Sequence, residues 1–89
     1  MLKITTIQEN RREVLLRLEG KITAQWALLL DRVCHTYLKQ KKAVQLDCAH
    51  VDFIDAQGVA VLKKLPRERV VLRDTPSFIT QMLNTGGRS

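Results

Sequence analysis

Leu46-Asp47-Cys48-Ala49-His50-Val51-Asp52-Phe53-Ile54-Asp55-Ala56-Gln57-Gly58-Val59-Ala60-Val61-Leu62 is the stretch on which the reading of this chain turns. It reads as a strand, a bend and a helix that begins at Asp55. A carboxylate at that position accepts hydrogen bonds from free N–H groups of the first helical turn, and its charge suits the positive end of the helix dipole. Ile54 before the cap and Val59 in the next turn are spaced for a hydrophobic staple. Gly58 gives up helix propensity inside the first turn, which makes sense where another surface approaches the backbone closely.

Around this stretch the sequence falls into short periodic segments. Leu2–Ile7 reads as a strand, Glu9-Asn10-Arg11-Arg12 as a polar turn, and Glu13–Glu19 as a second strand with Val14, Leu16 and Leu18 on one face. Leu15 interrupts the polar side. The pair predicts a hairpin that Gly20 ends. Ala24–Gln40 is the clearest helix, with Trp26, Leu29, Leu30, Val33, Cys34, Tyr37 and Leu38 at three-and-four spacing. Asp31, Arg32, His35 and Lys39 fall on its opposite side, and Thr23 is the expected N-cap. Ala43–Cys48 alternates as a third strand. A helix from Asp55 to about Leu65 stops at Pro66, because a residue before proline leaves the helical region. Val70-Val71-Leu72 reads as a last strand. Thr75-Pro76 starts a third helix with Phe78, Ile79, Met82 and Leu83 on its apolar face, and Gly86-Gly87 closes it.

The resulting order is β-β-α-β-α-β-α. Strands joined through a helix must be parallel, and such crossovers are right-handed. The expectation is therefore an α/β fold: a mixed four-stranded sheet with an N-terminal hairpin, parallel crossovers and helices mainly on one face. Eighty-nine residues hold one core, so residues 1–89 are read as one domain.

The opening stretch resembles the signature of the STAS domain, the family of bacterial anti-anti-sigma factors. That signature is a hydrophobic strand ending in Asp, a short apolar segment, then Asp-Ser-Ser-Gly and an apolar helix. Val44, Leu46 and Asp47 match the strand; Val51, Phe53 and Ile54 the approach; Asp55 and Gly58 the ends of the tetrapeptide; Val59, Val61 and Leu62 the helix. The family also has the same element order and a glycine at the end of its second strand. The link from the second helix to the last strand is shorter here than is usual in the family, and its customary glycine is absent. In switchable members the serine before the glycine is phosphorylated by a partner kinase. That position here is Gln57, and its neighbour is Ala56; neither can form a phosphate ester.

The resemblance implies a non-enzymatic protein-interaction module that docks through Asp55, Ala56, Gln57 and Gly58, without the usual serine phosphoswitch. Two kinds of protein partner fit: an anti-sigma factor kinase-like protein, or the ATPase of a lipid-trafficking ABC transporter, whose small STAS accessory subunits look similar. Dimerisation is compatible with either. No small-molecule substrate and no cofactor is implied.

Catalytic and metal chemistry find little support. The serines are Ser77 at a helix start and Ser89 at the end of the chain, and Cys48 and His50 lack a third orienting group. No phosphate-binding glycine loop or dinucleotide fingerprint is present. His50, Asp52 and Asp55 surround the bend, but loop polar residues near a cap are their ordinary role. Asp47 reads equally as the family's strand-end acid or as a residue bonding the loop that follows it. Cys34 and Cys48 read as buried inert thiols of a reducing compartment, though spacing alone does not forbid a disulfide.

The net charge is +6. Basic residues gather at Lys39, Lys41 and Lys42, and again at Lys63, Lys64, Arg67, Arg69 and Arg73. Such a surface suits an acidic protein, a nucleic acid or an anionic membrane face, while solvated helix ends account for the first cluster equally well. The few aromatics, Trp26, Tyr37, Phe53 and Phe78, sit mostly at core spacing and leave no stacking platform, so nucleic acid is disfavoured. No apolar run approaches the roughly 20 residues that span a bilayer, so membrane insertion is not expected and the cytoplasm is the expected location.

Overall fold

A computed structural model describes residues 1–86. The elements are β1 (Leu2–Glu9), β2 (Glu13–Ile22), α1 (Ala24–Lys39), β3 (Ala43–Ile54), α2 (Ala56–Lys64), β4 (Val70–Arg73) and α3 (Ser77–Gly86). They form a four-stranded sheet in the order β1-β2-β3-β4. The hairpin β1–β2 is antiparallel, and β2–β3 and β3–β4 are parallel, as helical crossovers require. Gly87, the second glycine of the predicted helix stop, and Ser89 lie outside the described residues.

Alternation along the strands sets the layers. Val14, Leu16, Leu18 and Ile22 of β2 and Val44, Leu46 and Cys48 of β3 are buried, and they share one cluster with Ala27, Leu30, Cys34, Val61, Leu62 and Ile79 of the helices. Among the described residues the other sheet face carries no helix. Across it, Thr5, Arg17, Asp47 and Arg73 stand in one row, and Asp47 pairs with Arg17 at 3.6 Å.

Four local readings need correction. β2 does not end at Gly20 but runs on to the buried Ile22. Gly20 has φ +106°, and a Cβ there would stand 2.5 Å from the Met1 carbonyl oxygen, which accepts a hydrogen bond from Lys21 N. The glycine admits the start of the chain against a kinked strand instead of stopping the strand. β3 likewise continues past Cys48. Its register steps from Asp47 to His50 while β2 steps from Arg17 to Glu19, and one extra residue is accommodated there as a bulge. Asp47 stitches this bulge by accepting from Ala49 N at 3.1 Å, the loop-bonding role.

The buried stripe of α1 is centred on Ala27, Leu30 and Cys34, with Trp26, Val33, Tyr37 and Leu38 half-buried. Leu29 stays 37% exposed, and Asp31 is half-buried beside α2, where Lys64 Nζ lies 4.0 Å from its carboxylate. α3 begins one residue later than the sequence predicts: the Pro76 carbonyl accepts from Ile79 N and Thr80 N, so Pro76 itself takes the cap position.

Candidate functional site

Two chain segments meet where β2 and β3 leave the sheet. Ile22 ends β2, Ile54 ends β3, and both are buried. Asp55 N donates to the Ile22 carbonyl at 3.2 Å, which fixes the two strand ends side by side. From there α1 and α2 depart in the same direction.

Asp55 governs both departures. Its backbone is extended, and its Oδ1 accepts from Gly58 N at 2.9 Å, the expected N-cap bond. Its Oδ2 accepts from Ala24 N at 3.1 Å, across the gap between the helices. Thr23 does occupy the N-cap position of α1, but its hydroxyl makes no capping bond. The carboxylate of α2's cap thus stands in for it. One charged group satisfies orphan N–H groups of two helices, and both positive dipole ends face it. Ala24 adopts φ +45°, a left-handed conformation uncommon for a residue with a Cβ, and the bond to Asp55 helps hold it.

Gly58 faces inward. A Cβ on it would stand 2.4 Å from the Ile22 carbonyl oxygen and 2.6 Å from Ile54 Cγ1. The surface that approaches this glycine is the chain's own β2 end. Among the four residues expected to dock a partner, Ala56 and Gln57 are exposed, Asp55 is half-buried and Gly58 is buried. The first pair can meet a partner directly, and the second pair shapes the turn that presents it.

The exposed surface extends beyond these residues. Lys64 of α2 reaches Asp31 of α1, and one helical turn back from each stand Ala60 and Leu28. Ala60 is exposed, and Leu28 is 56% exposed. Leu28, Ala56, Gln57 and Ala60 therefore share the outer seam between the two parallel helices, a shallow and mostly apolar strip. Leu28 was legible in principle: in the run Ala27-Leu28-Leu29-Leu30 a helix cannot turn every apolar side chain to the core. Near the same end, Phe53 is 49% exposed beneath the Lys21 ammonium at 5.9 Å, and Lys21 also pairs with Asp52 at 3.2 Å.

The other candidates are not brought together. His50 and Asp52 are exposed, Asp52 is engaged by Lys21 and Asp55 by two backbone donors, and the described residues contain no cluster of three or more metal-ligating side chains. Cys34 and Cys48 are both buried free thiols. Burial, reinforced by Asp31, pushes the Cys34 thiol up to about 12. Burial and Asp47 push Cys48 up to about 11 against a weaker opposing hydrogen bond with Thr75. Neither supplies a thiolate nucleophile near neutral pH. Arg73 departs from the basic cluster predicted for it and instead bonds Gln45 Oε1 on the uncovered sheet face.

Comparisons with known proteins agree with this architecture. No curated protein sequence matches the chain. Among solved structures, the anti-sigma factor antagonist SpoIIAA in its unphosphorylated form is similar, with a TM-score of 0.70 and 17% identity over 94% of this chain and 84% of that one. At that identity the likeness speaks for the fold. The family described as "Mlab, STAS domain" matches residues 5–88. With nearly the whole length matched and the β-β-α-β-α-β-α fold in place, the chain belongs to the STAS domain family.

Proposed function

We propose that this chain is a one-domain, non-enzymatic protein-interaction module that docks through the start of α2 and the neighbouring seam of α1. The observation that carries the reading is the Asp55 carboxylate, bonded to Gly58 N and Ala24 N at once. It holds the two helix starts in a fixed relation before any partner arrives, so little ordering entropy is lost on docking. The strip it presents, Ala56, Gln57, Ala60 and Leu28, has small side chains and one aliphatic anchor, which suits a flat protein contact.

Gln57 stands where switchable relatives carry the phosphorylated serine. Phosphate there adds roughly two negative charges to the contact and releases the partner. An amide keeps hydrogen-bonding ability and offers no such release. The partner is accordingly an anti-sigma factor kinase-like protein bound constitutively, or regulated at another hydroxyl; the fold shared with an anti-sigma factor antagonist supports this reading. A second reading, an accessory subunit bound to the ATPase of a lipid-trafficking ABC transporter, is favoured by the same missing hydroxyl, since a resident subunit has no need of release. Both readings place the protein in the cytoplasm; no helix among the described residues is long and apolar enough to cross a membrane.

The test uses the purified chain with the kinase or ATPase encoded beside its gene. Calorimetric titration should show binding to one of them that Ala60→Arg abolishes, and mass measurement after incubation with kinase and ATP should show no added phosphate. Unchanged affinity in Ala60→Arg sinks the docking surface. Phosphate on Thr23 or Thr75 sinks the constitutive reading.

A further inference from the structure

Opposite the Asp55 end, the parallel arrangement of β2, β3 and β4 brings three loops together at the strand N-termini. Ala43 N donates to Arg12 O at 2.8 Å and Val44 N to Arg69 O at 2.7 Å, which ties the β1–β2 turn, the α1–β3 loop and the α2–β4 loop into one surface. The Arg69 guanidinium bonds the Leu38 and Lys42 carbonyls from within it. Residues 9–13, 39–43 and 66–70 hold seven Lys or Arg against three Glu. Once Lys63 and Lys64 in the adjoining last turn of α2 are added, the rest of the chain balances at six basic against six acidic residues. The entire formal excess of +6 therefore belongs to this one end.

Much of that charge is uncommitted. Lys42 pairs with Glu9 at 2.5 Å, and Glu13 is engaged by Gln45. Arg11, Arg12, Lys39, Lys41 and Arg67 are exposed and enter no salt bridge among the described residues. A helix C-terminus accounts for the lysines beside α1 and for Arg67 just past the end of α2, but Arg11 and Arg12 sit in the β1–β2 turn, where no helix dipole asks for them.

We propose that these three loops form an electrostatic docking surface for an anionic lipid bilayer, which turns the start of α2 away from the membrane and leaves it open to a protein partner. Nucleic acid fits less well. The N-termini of α1 and α2, whose free N–H groups suit phosphates, point to the opposite end and are taken by Asp55. The exposed aromatics Phe53 and Phe78 lie at the end of β3 and the start of α3, away from these loops, and Tyr37, which does lie beside them, is half-buried with the Lys42 ammonium over its ring at 5.9 Å, so bases find no open platform there. A bilayer surface asks for neither device: its negative potential attracts clustered Lys and Arg without directional bonds.

Co-sedimentation of the full chain with vesicles tests this. The vesicles are phosphatidylcholine alone or with about one-third phosphatidylglycerol. The expected result is binding to the anionic vesicles only, lost as salt rises from about 0.05 to 0.5 M. Each basic residue near the surface is worth about fivefold in partitioning, so Arg11→Glu with Arg67→Glu should weaken binding more than about tenfold. Lys3→Glu with Arg32→Glu changes net charge equally at other places and should cost no more than about twofold. Circular dichroism checks each pair, with Arg11→Gln and Arg67→Gln as the milder substitute. Equal weakening by both pairs, absence of binding to anionic vesicles at low salt, or tighter binding to a DNA duplex under the same conditions each overturns the proposal.

Discussion

The carboxylate of Asp55 accepts a hydrogen bond from the backbone N–H of Ala24, which stands 31 residues earlier in the chain, at 3.1 Å. The same side chain caps its own helix through Gly58 N at 2.9 Å. Asp55→Ala removes both acceptors and leaves two N–H groups without them, that of Gly58 part-buried and that of Ala24 exposed. The expected loss of unfolding free energy is about 1–3 kcal/mol, with Asp55→Asn losing less because one acceptor remains. Thr23→Ala should cost under about 0.5 kcal/mol, since its hydroxyl caps nothing, against the ~1 kcal/mol of an ordinary cap. Urea unfolding midpoints decide the matter: a Thr23 loss equal to that of Asp55 means the capping runs the other way.

Gly58→Ala tests how closely α2 is seated on β2. The new methyl carbon would lie 2.4 Å from the Ile22 carbonyl oxygen, a backbone atom that cannot swing aside. Either α2 shifts outward or the Asp55 N–Ile22 O link breaks. A loss of about 2 kcal/mol or more is expected although alanine is the better helix former. Thermal unfolding that leaves the variant as stable as the parent would show that the approach relaxes freely.

What could be read from the sequence divides along the range of the forces involved. Element order, the parallel crossovers and the cap at Asp55 follow from patterns within a dozen residues, and the structure has them. Gly20 misled because its reason lies in Met1, a contact made only when the hairpin closes. β3 looked finished at Cys48 because a bulge breaks alternation without ending the ladder, and the bulge is recognisable only from the register of the neighbouring strand. Thr23 is a good cap by type, yet its hydroxyl caps nothing, and the side-chain acceptor at the start of α1 comes from Asp55, the cap of α2. The proposed docking strip was half visible: Asp55 through Gly58 stand out in the sequence, whereas Leu28 and Ala60 join the proposal only once two helices lie side by side.

The two buried thiols give a pH prediction. In the folded chain Cys34 titrates near 12 and Cys48 near 11, both raised by burial above the ordinary 9.0. Above pH 9 the unfolded chain releases these protons while the folded one retains them, so the unfolded state binds fewer protons and stability falls as pH rises. The contribution is whole below 9 and is lost progressively towards 11 for Cys48 and 12 for Cys34. The slope reaches at most about 1.4 kcal/mol per pH unit for each thiol. Urea unfolding between these limits should show the decline, and Cys34→Ala should flatten it. Near neutral pH, dithionitrobenzoate should label neither cysteine until the chain unfolds; rapid labelling of the native protein contradicts the burial of both.

Gln57→Glu separates docking from folding, which most substitutions at an interface do not. The side chain is exposed in the first turn of α2, so a carboxylate there meets the positive end of the dipole and competes with no buried contact. Stability should stay equal or rise by about 0.3–0.5 kcal/mol, less whatever repulsion Asp55 contributes. Affinity for the protein partner should behave oppositely. A charge placed in a flat, apolar contact must be desolvated without a counter-ion, and a loss of at least about tenfold is expected, with a much smaller effect from Gln57→Ala. Circular dichroism melting and calorimetric titration on the same samples give both readings. The opposed signs matter, because a variant that merely loosened the helix would lose stability and affinity together, and one remote from the contact would lose neither. Undiminished binding by Gln57→Glu would move the interface off the start of α2 and leave the Asp55 bridge a device of folding alone.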